Sequence, residues 1–131
     1  MTEDGGDRWH AHIYYLEDER DEADALRAGF EALRQAGEPD LVFVGRLRDH
    51  KVGPHPIPQF EIHFLERALP SIRAMLEASG LKVLIHPLTN DDLADHTTHG
   101  HWIGTPLELD LSTLDPPGVN QGVARFGKTD F

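Results

Sequence analysis

The feature that most constrains the fold is residues 9–15, WHAHIYY, in which histidines alternate with apolar residues. Ala11 and Ile13 fall on one side of the alternation, whereas His10 and His12 fall on the other. Because successive side chains of a β-strand point to opposite faces, the segment predicts a strand with both imidazoles on one face. At ~3.3 Å of rise per residue the two rings lie about 7 Å apart, close enough to converge on one metal ion or one anion.

Two later stretches have apolar residues three and four positions apart, which is the spacing of an amphipathic helix. The first predicted helix covers residues 18–36, with Asp18 or Asp21 as its cap. The second covers about residues 66–79. Pro70 is compatible only with a first helical turn, which moves the start of this helix towards the residue before it.

Short apolar runs predict three further strands, at residues 41–47, 59–64 and 82–86. The resulting order of strand, helix, strand, strand, helix, strand is that of a ferredoxin-like α+β sandwich, a four-stranded antiparallel sheet with two helices on one face. In that fold the first and third strands are central and the fourth lies beside the first. The opposite sheet face is left open for a ligand or another subunit.

The length of 131 residues fits one domain, residues 1–131, with a single core. We expect the core to span about residues 8–114. After the fourth strand the pattern is loop-like, with a short helical candidate at residues 91–101. Residues 115–131 are expected to form an exposed C-terminal extension.

The formal net charge of −11 argues against binding to nucleic acid and to anionic membrane surfaces, because both need clustered Lys and Arg. No apolar run approaches the ~20 residues of a membrane span, and the N-terminus has no basic-then-apolar signal. A cytoplasmic protein is therefore expected. The chain has no cysteine, so any metal would be held by His, Asp, Glu or backbone oxygen. Nine histidines are scattered through the chain.

The alternation in the other strands adds polar groups to the histidine face. In the third strand the phenylalanines and the isoleucine must face the helices, which leaves Glu61 and His63 on the opposite face. In the fourth strand the same rule leaves His86 there. Five polar side chains are therefore expected on one surface: His10, His12, Glu61, His63 and His86.

This set of side chains suits a transition metal. Two histidines and one carboxylate with open positions suit non-haem Fe(II) oxygenases, and His-rich sets with a bound water suit Zn(II). The alternative is ordinary polar residues on a wet or dimer-covered sheet.

Three histidines outside the strands are further candidates. His55 lies between two prolines, so its backbone is stiff. It is either a ligand, a base or a substrate clamp, or else a simple turn residue. On a helix, His96 and His99 would share a side, from which they could close over the sheet face and donate protons. The alternative is a capping segment whose histidines face solvent.

Four motifs follow one another along the chain: WHAHIYY at residues 9–15, VGPHP at residues 52–56 with Phe60-Glu61 shortly after, LIHPLT at residues 84–89, and the run of DL, DHT, WIG and PL within residues 92–107. Together they resemble the aromatic ring-cleaving DOPA 4,5-dioxygenase family. The likeness runs from about residue 8 to residue 114. It implies a small ferredoxin-like protein, commonly dimeric, that opens a catechol ring with O2.

The resemblance puts the functional residues of the family on His10, His12, His55, His86, His96 and the pair Phe60 and Glu61. Together with the face pattern, it predicts His12, His86, Glu61 and His10 as metal ligands, and His55 and His96 as acid–base or substrate-binding residues.

The prediction that follows is an extradiol dioxygenase that uses Fe(II), with Zn(II) able to replace it in the purified protein. It would cleave a catechol such as L-DOPA with O2, as a homodimer. The alternatives are a non-catalytic dimeric module that binds a metal or a small molecule, and a metal-free structural dimer.

Overall fold

The structure is a computed structural model that describes residues 7–38, 40–116 and 118–128, with Ala124 described through its backbone alone. In these ranges the strands are β1 (Arg8–Tyr14), β2 (Leu41–Val44), β3 (Gln59–Leu65), β4 (Lys82–Pro87) and β5 (His101–Ile103). The α-helices are α1 (Arg20–Gln35), α2 (Leu69–Ser79), α3 (Asp92–His96) and α4 (Gln121–Arg125). None of these helices is long and apolar enough to cross a lipid bilayer.

The strands form one antiparallel sheet in the order β2-β3-β1-β4-β5. As predicted, β1 and β3 are central and β4 lies beside β1. The register sets His10 opposite His63 on β3 and opposite His86 on β4. His12 lies opposite Glu61. The polar residues of three strands therefore occupy adjacent positions on the sheet.

The prediction of four strands is wrong, because β5 adds a fifth to the edge of β4. The predicted helix over residues 91–101 is correspondingly too long. The segment leaves the helical conformation at Thr97, where φ is −126° and ψ is −87°, and then enters β5. Trp102 pairs with Leu84, so β5 satisfies backbone groups that an edge strand would leave to solvent. A strand of three residues is too short to show an alternation of apolar and polar side chains. Only its hydrogen-bonded pairing with β4 defines it as a strand.

The hydrophobic core lies between the sheet and helices α1 and α2. The residues that alternate inward on β1, β3 and β4 form one buried cluster with residues of both helices: Ala11, Ile13, Phe60, Ile62, Phe64, Val83 and Ile85 with Phe30, Ile72 and Leu76. Full burial of a Val, Ile or Phe side chain contributes about 1.5–3 kcal/mol. Because a shift of one residue in any strand would expose this set, the core fixes which side chains face the other way.

The boundaries of α1 and α2 follow the predictions closely, but the predicted cap of α1 does not. Helix α2 begins at Leu69 with Pro70 in its first turn, as expected, and ends at Gly80, whose φ is +75°. The expected capping of α1 by Asp18 or Asp21 is wrong. A short 3-10 turn, Glu17–Glu19, precedes α1, and no side chain caps the helix itself.

The sheet face opposite the helices is covered, contrary to the predicted open face. The ring of Phe126 stacks with those of His10 and His63, at centroid distances of 6.0 and 5.5 Å. The backbone N–H of Gly127 donates to His63 Nδ1 at 2.9 Å. All five polar side chains of this face are at most 2% exposed. Within the predicted exposed C-terminal extension, Pro116, Gly118 and Val119 are exposed as expected. The prediction is wrong for Phe126 and Gly127, which contact the histidine face. Residues 117 and 129–131 lie outside the described residues.

Candidate metal centre and active site

Two histidine rings from neighbouring strands face each other at the centre of the site. His12 Nε2 lies 2.9 Å from His86 Nε2. His12 Nδ1 lies 3.1 Å from Gln59 Oε1, and His86 Nδ1 lies 2.8 Å from the carbonyl oxygen of Pro87. Because carbonyl oxygens only accept hydrogen bonds, each Nδ1 carries the ring proton and donates it. Each Nε2 is then left with a lone pair directed at the other ring.

Two lone pairs at this distance repel each other unless a cation lies between them. A proton does not meet this need, because burial lowers the pKa of both His12 and His86 well below 6.5. The neighbouring imidazoles, above all His96 for His86 and His55 for His12, lower these pKa values further. A divalent metal ion would balance the two lone pairs. With metal–nitrogen bonds of about 2.0–2.1 Å, two ligand nitrogens at a right angle around the metal lie about 3 Å apart. The donor pair therefore fits a divalent transition metal.

Further histidines surround this pair on two sides. On the sheet side His10, His12 and His86 each offer a nitrogen within 4.8 Å of the others, and on the loop side His12, His55 and His96 do the same. His12 belongs to both groups. His96 Nδ1 lies 2.8 Å from the carbonyl oxygen of Asp92 and donates to it. The structure thus brings together five of the six residues predicted for the site.

The sixth residue, Glu61, belongs to a neighbouring cluster. Its carboxylate lies 2.7 Å from His63 Nε2, and it groups with His10 and His63. Because His63 Nδ1 accepts from Gly127, its Nε2 carries the proton and donates to Glu61. The ring of His10 stacks on that of His63 at 4.2 Å with an interplanar angle of 9°. His10 therefore belongs both to this cluster and to the group with His12 and His86, whereas Glu61 is paired with His63, which strand alternation alone does not reveal.

His55 reaches the site from the connection between β2 and β3. The Tyr14 hydroxyl lies 2.7 Å from His55 Nδ1. Burial raises the pKa of Tyr14 and lowers the pKa of His55, so the pair is neutral around pH 7. A hydroxyl can donate to Nδ1 or accept from it, so Tyr14 is compatible with either ring tautomer. His55 is thus held as a neutral imidazole beside His12, with ring centroids 4.1 Å apart.

A cavity of about 200 Å³ opens beside these rings. One wall carries His12, His55 and His96, and the other is formed by the C-terminal segment that includes α4 and Arg125. Val52, Pro54 and Leu114 add apolar surface. The arrangement offers a pocket of small-molecule size next to the candidate metal ligands.

Sequence reasoning missed two kinds of site residue. Strand alternation places Gln59 on the same face as Glu61 and His63, but it does not reveal the hydrogen bond to His12. Phe126 and the residues of α4 could not have been found, because residues 115–131 have no hydrophobic period. His99 lies outside the site: its side chain is 51% exposed, and its Nδ1 lies 3.5 Å from Asp95 Oδ1.

Comparison with known proteins identifies similar sequences and a similar structure. The family model described as the Dopa 4,5-dioxygenase family matches residues 9–113. A DOPA 4,5-dioxygenase of Amanita muscaria is 34% identical over 111 residues, which cover 81% of this chain and 49% of that protein. An uncharacterized 21.2 kDa protein of Botryotinia fuckeliana is 29% identical over 115 residues, 79% of this chain and 61% of that protein.

A crystal structure of a candidate dioxygenase from Nostoc punctiforme is similar with a TM-score of 0.72 and 31% identity, covering 86% of this chain and 96% of that one. This chain spans only about half the length of the Amanita relative (49%). The family match contains all six predicted site residues and ends at residue 113. Helix α4 lies beyond it.

Proposed function

Because the chain belongs to the Dopa 4,5-dioxygenase family, we propose that it is a metal-dependent extradiol dioxygenase that opens the ring of a catechol with O2. The observation that carries the proposal is the His12–His86 pair, whose unprotonated Nε2 atoms lie 2.9 Å apart. The Amanita relative is named a DOPA 4,5-dioxygenase, so L-DOPA is the first catechol to test.

The proposed ligands are His12 and His86, with His10 as the third on the sheet side. Glu61 is left out of the ligand set, because its carboxylate is engaged by His63 at 2.7 Å. We favour Fe(II), with Zn(II) as a competitor for the same nitrogens. When bound, Fe(II) would supply the redox chemistry that joins O2 to the catechol.

His55 is the proposed acid–base residue. It lines the cavity beside His12, and its lowered pKa keeps it neutral and able to take a catechol proton at Nε2. When Nε2 takes this proton, Nδ1–H can donate to the Tyr14 oxygen 2.7 Å away. His96 lines the same wall and is proposed to orient the substrate. The segment over the sheet face would keep bulk water from the buried imidazoles.

We also propose the finer description of the fold and assembly. Strands β1 to β4 with α1 and α2 have the element order of a ferredoxin-like sandwich, to which β5 is added. The homodimer and the cytoplasmic location rest on resemblance and composition. Light scattering would support the dimer by returning twice the chain mass of 14.7 kDa.

The test is anaerobic loading with Fe(II), followed by L-DOPA or another catechol and then air. We expect oxygen uptake and a yellow ring-opened product. His12→Ala and His86→Ala should lose bound metal, whereas His55→Ala should keep the metal and lose about 10²–10⁴-fold in kcat. His50→Ala, on an exposed residue, is the matched control. A metal-loaded protein that shows neither oxygen uptake nor product across a catechol panel would reject the proposal and favour a non-catalytic binding module.

A further inference from the structure

Arg125 is the fixed positive charge of the cavity. It is the last residue of α4 and faces the same space as His12, His55 and His96. Among the described residues that line the cavity there is no lysine and no second arginine. The chain as a whole carries a formal net charge of −11, so a cation at this position is not a consequence of a basic surface.

Described residues use little of the hydrogen-bonding capacity of Arg125. A guanidinium has five N–H donors. The contact of Arg125 with a described residue is one hydrogen bond from Nη2 to Gln121 Oε1 at 3.4 Å, near the upper limit for such a bond. No described carboxylate forms an ion pair with it. A planar fork of free donors is the geometry that binds a carboxylate through two parallel hydrogen bonds.

The two acids of the cavity wall have other partners. The Asp115 carboxylate accepts from the backbone N and from Nε2 of Gln121, at 2.8 and 3.1 Å. Asp92 accepts from the backbone N of Asp115 at 2.9 Å and lies 3.3 Å from His96 Nδ1. These carboxylates are engaged near the ends of α4 and α3. Within the described ranges, the cavity therefore presents a cation without an acidic partner and no comparably free anion.

We propose that Arg125 binds the carboxylate of the substrate and makes the enzyme selective for catechols that carry an acid side chain, whether or not they also carry an amino group. The inference rests on the proposed dioxygenase function for the catechol part. A cavity of about 200 Å³ is smaller than most ligand pockets (about 300–1,000 Å³), which suits one ring with a short side chain. Because Arg125 lies beyond residue 113, this selectivity belongs to a segment outside the family match.

The kinetic test compares four catechols: L-DOPA, dihydroxyphenylpropionate, dopamine and methylcatechol. In the Fe(II)-loaded enzyme we expect kcat/KM to be at least about tenfold higher for the two acids than for dopamine, as for a charge-assisted hydrogen-bonded pair. Arg125→Gln should reduce this ratio about tenfold. Arg125→Lys should keep an intermediate ratio, because it retains the charge but loses the bidentate geometry. A ratio near one in the wild type, or an unchanged ratio in Arg125→Gln, would overturn the inference. So would a preference of more than tenfold for L-DOPA over dihydroxyphenylpropionate.

A binding test separates this inference from the proposed function, since it needs no turnover. Calorimetry would compare phenylpropionate with the neutral phenylpropanol on the wild type, on Arg125→Gln and on the control Arg73→Gln, whose side chain pairs with Glu77 on α2. On the wild type and on the control, we expect phenylpropionate to bind about tenfold more tightly than phenylpropanol. On Arg125→Gln, the two compounds should bind equally well. Discrimination without any catechol turnover would reject the dioxygenase and leave the carboxylate site standing. Catechol turnover without discrimination between the acid and the alcohol would support the dioxygenase and reject the carboxylate site at Arg125.

Discussion

At the scale of single residues, the candidate metal centre depends on which ring nitrogen of each histidine carries the proton. Three Nδ1 atoms have fixed carbonyl acceptors: Gln59 for His12, the Pro87 backbone for His86 and the Asp92 backbone for His96. Each acceptor holds its Nδ1 as a hydrogen-bond donor and so leaves Nε2 as the ring atom that a metal could bind. Of the three acceptors only Gln59 is a side chain, so it is the one that substitution can remove.

Gln59→Leu should therefore weaken metal binding about 10–100-fold, because His12 loses the acceptor that holds its tautomer and ring orientation. The measurement is a titration of the apoprotein with Zn(II) or Co(II) against a competing chelator. Gln59→Glu keeps an acceptor oxygen at the same place and should bind metal far better than the leucine variant. Unchanged metal affinity in Gln59→Leu, in a protein that is folded by circular dichroism, would show that this hydrogen bond does not prepare His12.

At the scale of elements, the decisive piece is the C-terminal segment that crosses the sheet. Helix α4 supplies one wall of the cavity, and the residues that follow it cover the histidine face. The guanidinium of Arg8, on β1, lies 5.5 Å from the centre of the Phe126 ring and adds a cation–π contact. Phe126 therefore joins the segment to both the first strand and the histidine cluster.

Phe126→Ala should lower the free energy of unfolding by about 1–2 kcal/mol, because it removes a partly buried ring and its stacking contacts. Urea denaturation of the metal-free protein measures this. Val119→Ala, at a position in the same segment that is 46% exposed, should change it by less than about 0.5 kcal/mol. Equal effects of the two substitutions would mean that the Phe126 contacts do not hold the segment in place.

At the scale of the whole molecule, a group of neutral imidazoles is buried inside an acidic chain. Burial, followed by the other imidazoles, lowers the pKa of His10, His12, His55 and His86 well below 6.5. In the unfolded chain the same groups titrate near 6.5. At a pH between the folded-state and unfolded-state pKa values, the unfolded chain binds protons that the folded chain does not. The population of the unfolded state therefore grows as the pH falls.

The metal-free protein should thus keep its full histidine-linked stability above about pH 7.5 and lose it as the pH falls through 6.5. Each of the four histidines can change the free energy of unfolding by up to about 1.4 kcal/mol per pH unit. Urea denaturation at pH 7.5 and pH 5.5 measures the loss. The hydrogen bond from Arg20 lowers the pKa of Asp49 to about 2. Asp49 therefore affects the stability only at a lower pH than the range of this test. Equal unfolding free energies at the two pH values would contradict the neutral state of the buried rings.

The sequence by itself determined which side chains share a face. Strand alternation and the apolar core assign His10, His12, Glu61, His63 and His86 to one side of the sheet, because local geometry allows no other choice. In the same way, the rigid ring of Pro70 determined where α2 begins.

Only the tertiary structure decided how those residues are divided and what covers them. The pairing of Glu61 with His63, the fifth strand and the position of Arg125 all depend on how the side chains and elements pack in three dimensions. The hydrogen bond from Gly127 to His63 joins residues 64 positions apart. Such contacts leave no trace in a local period, because they arise when preformed surfaces pack together.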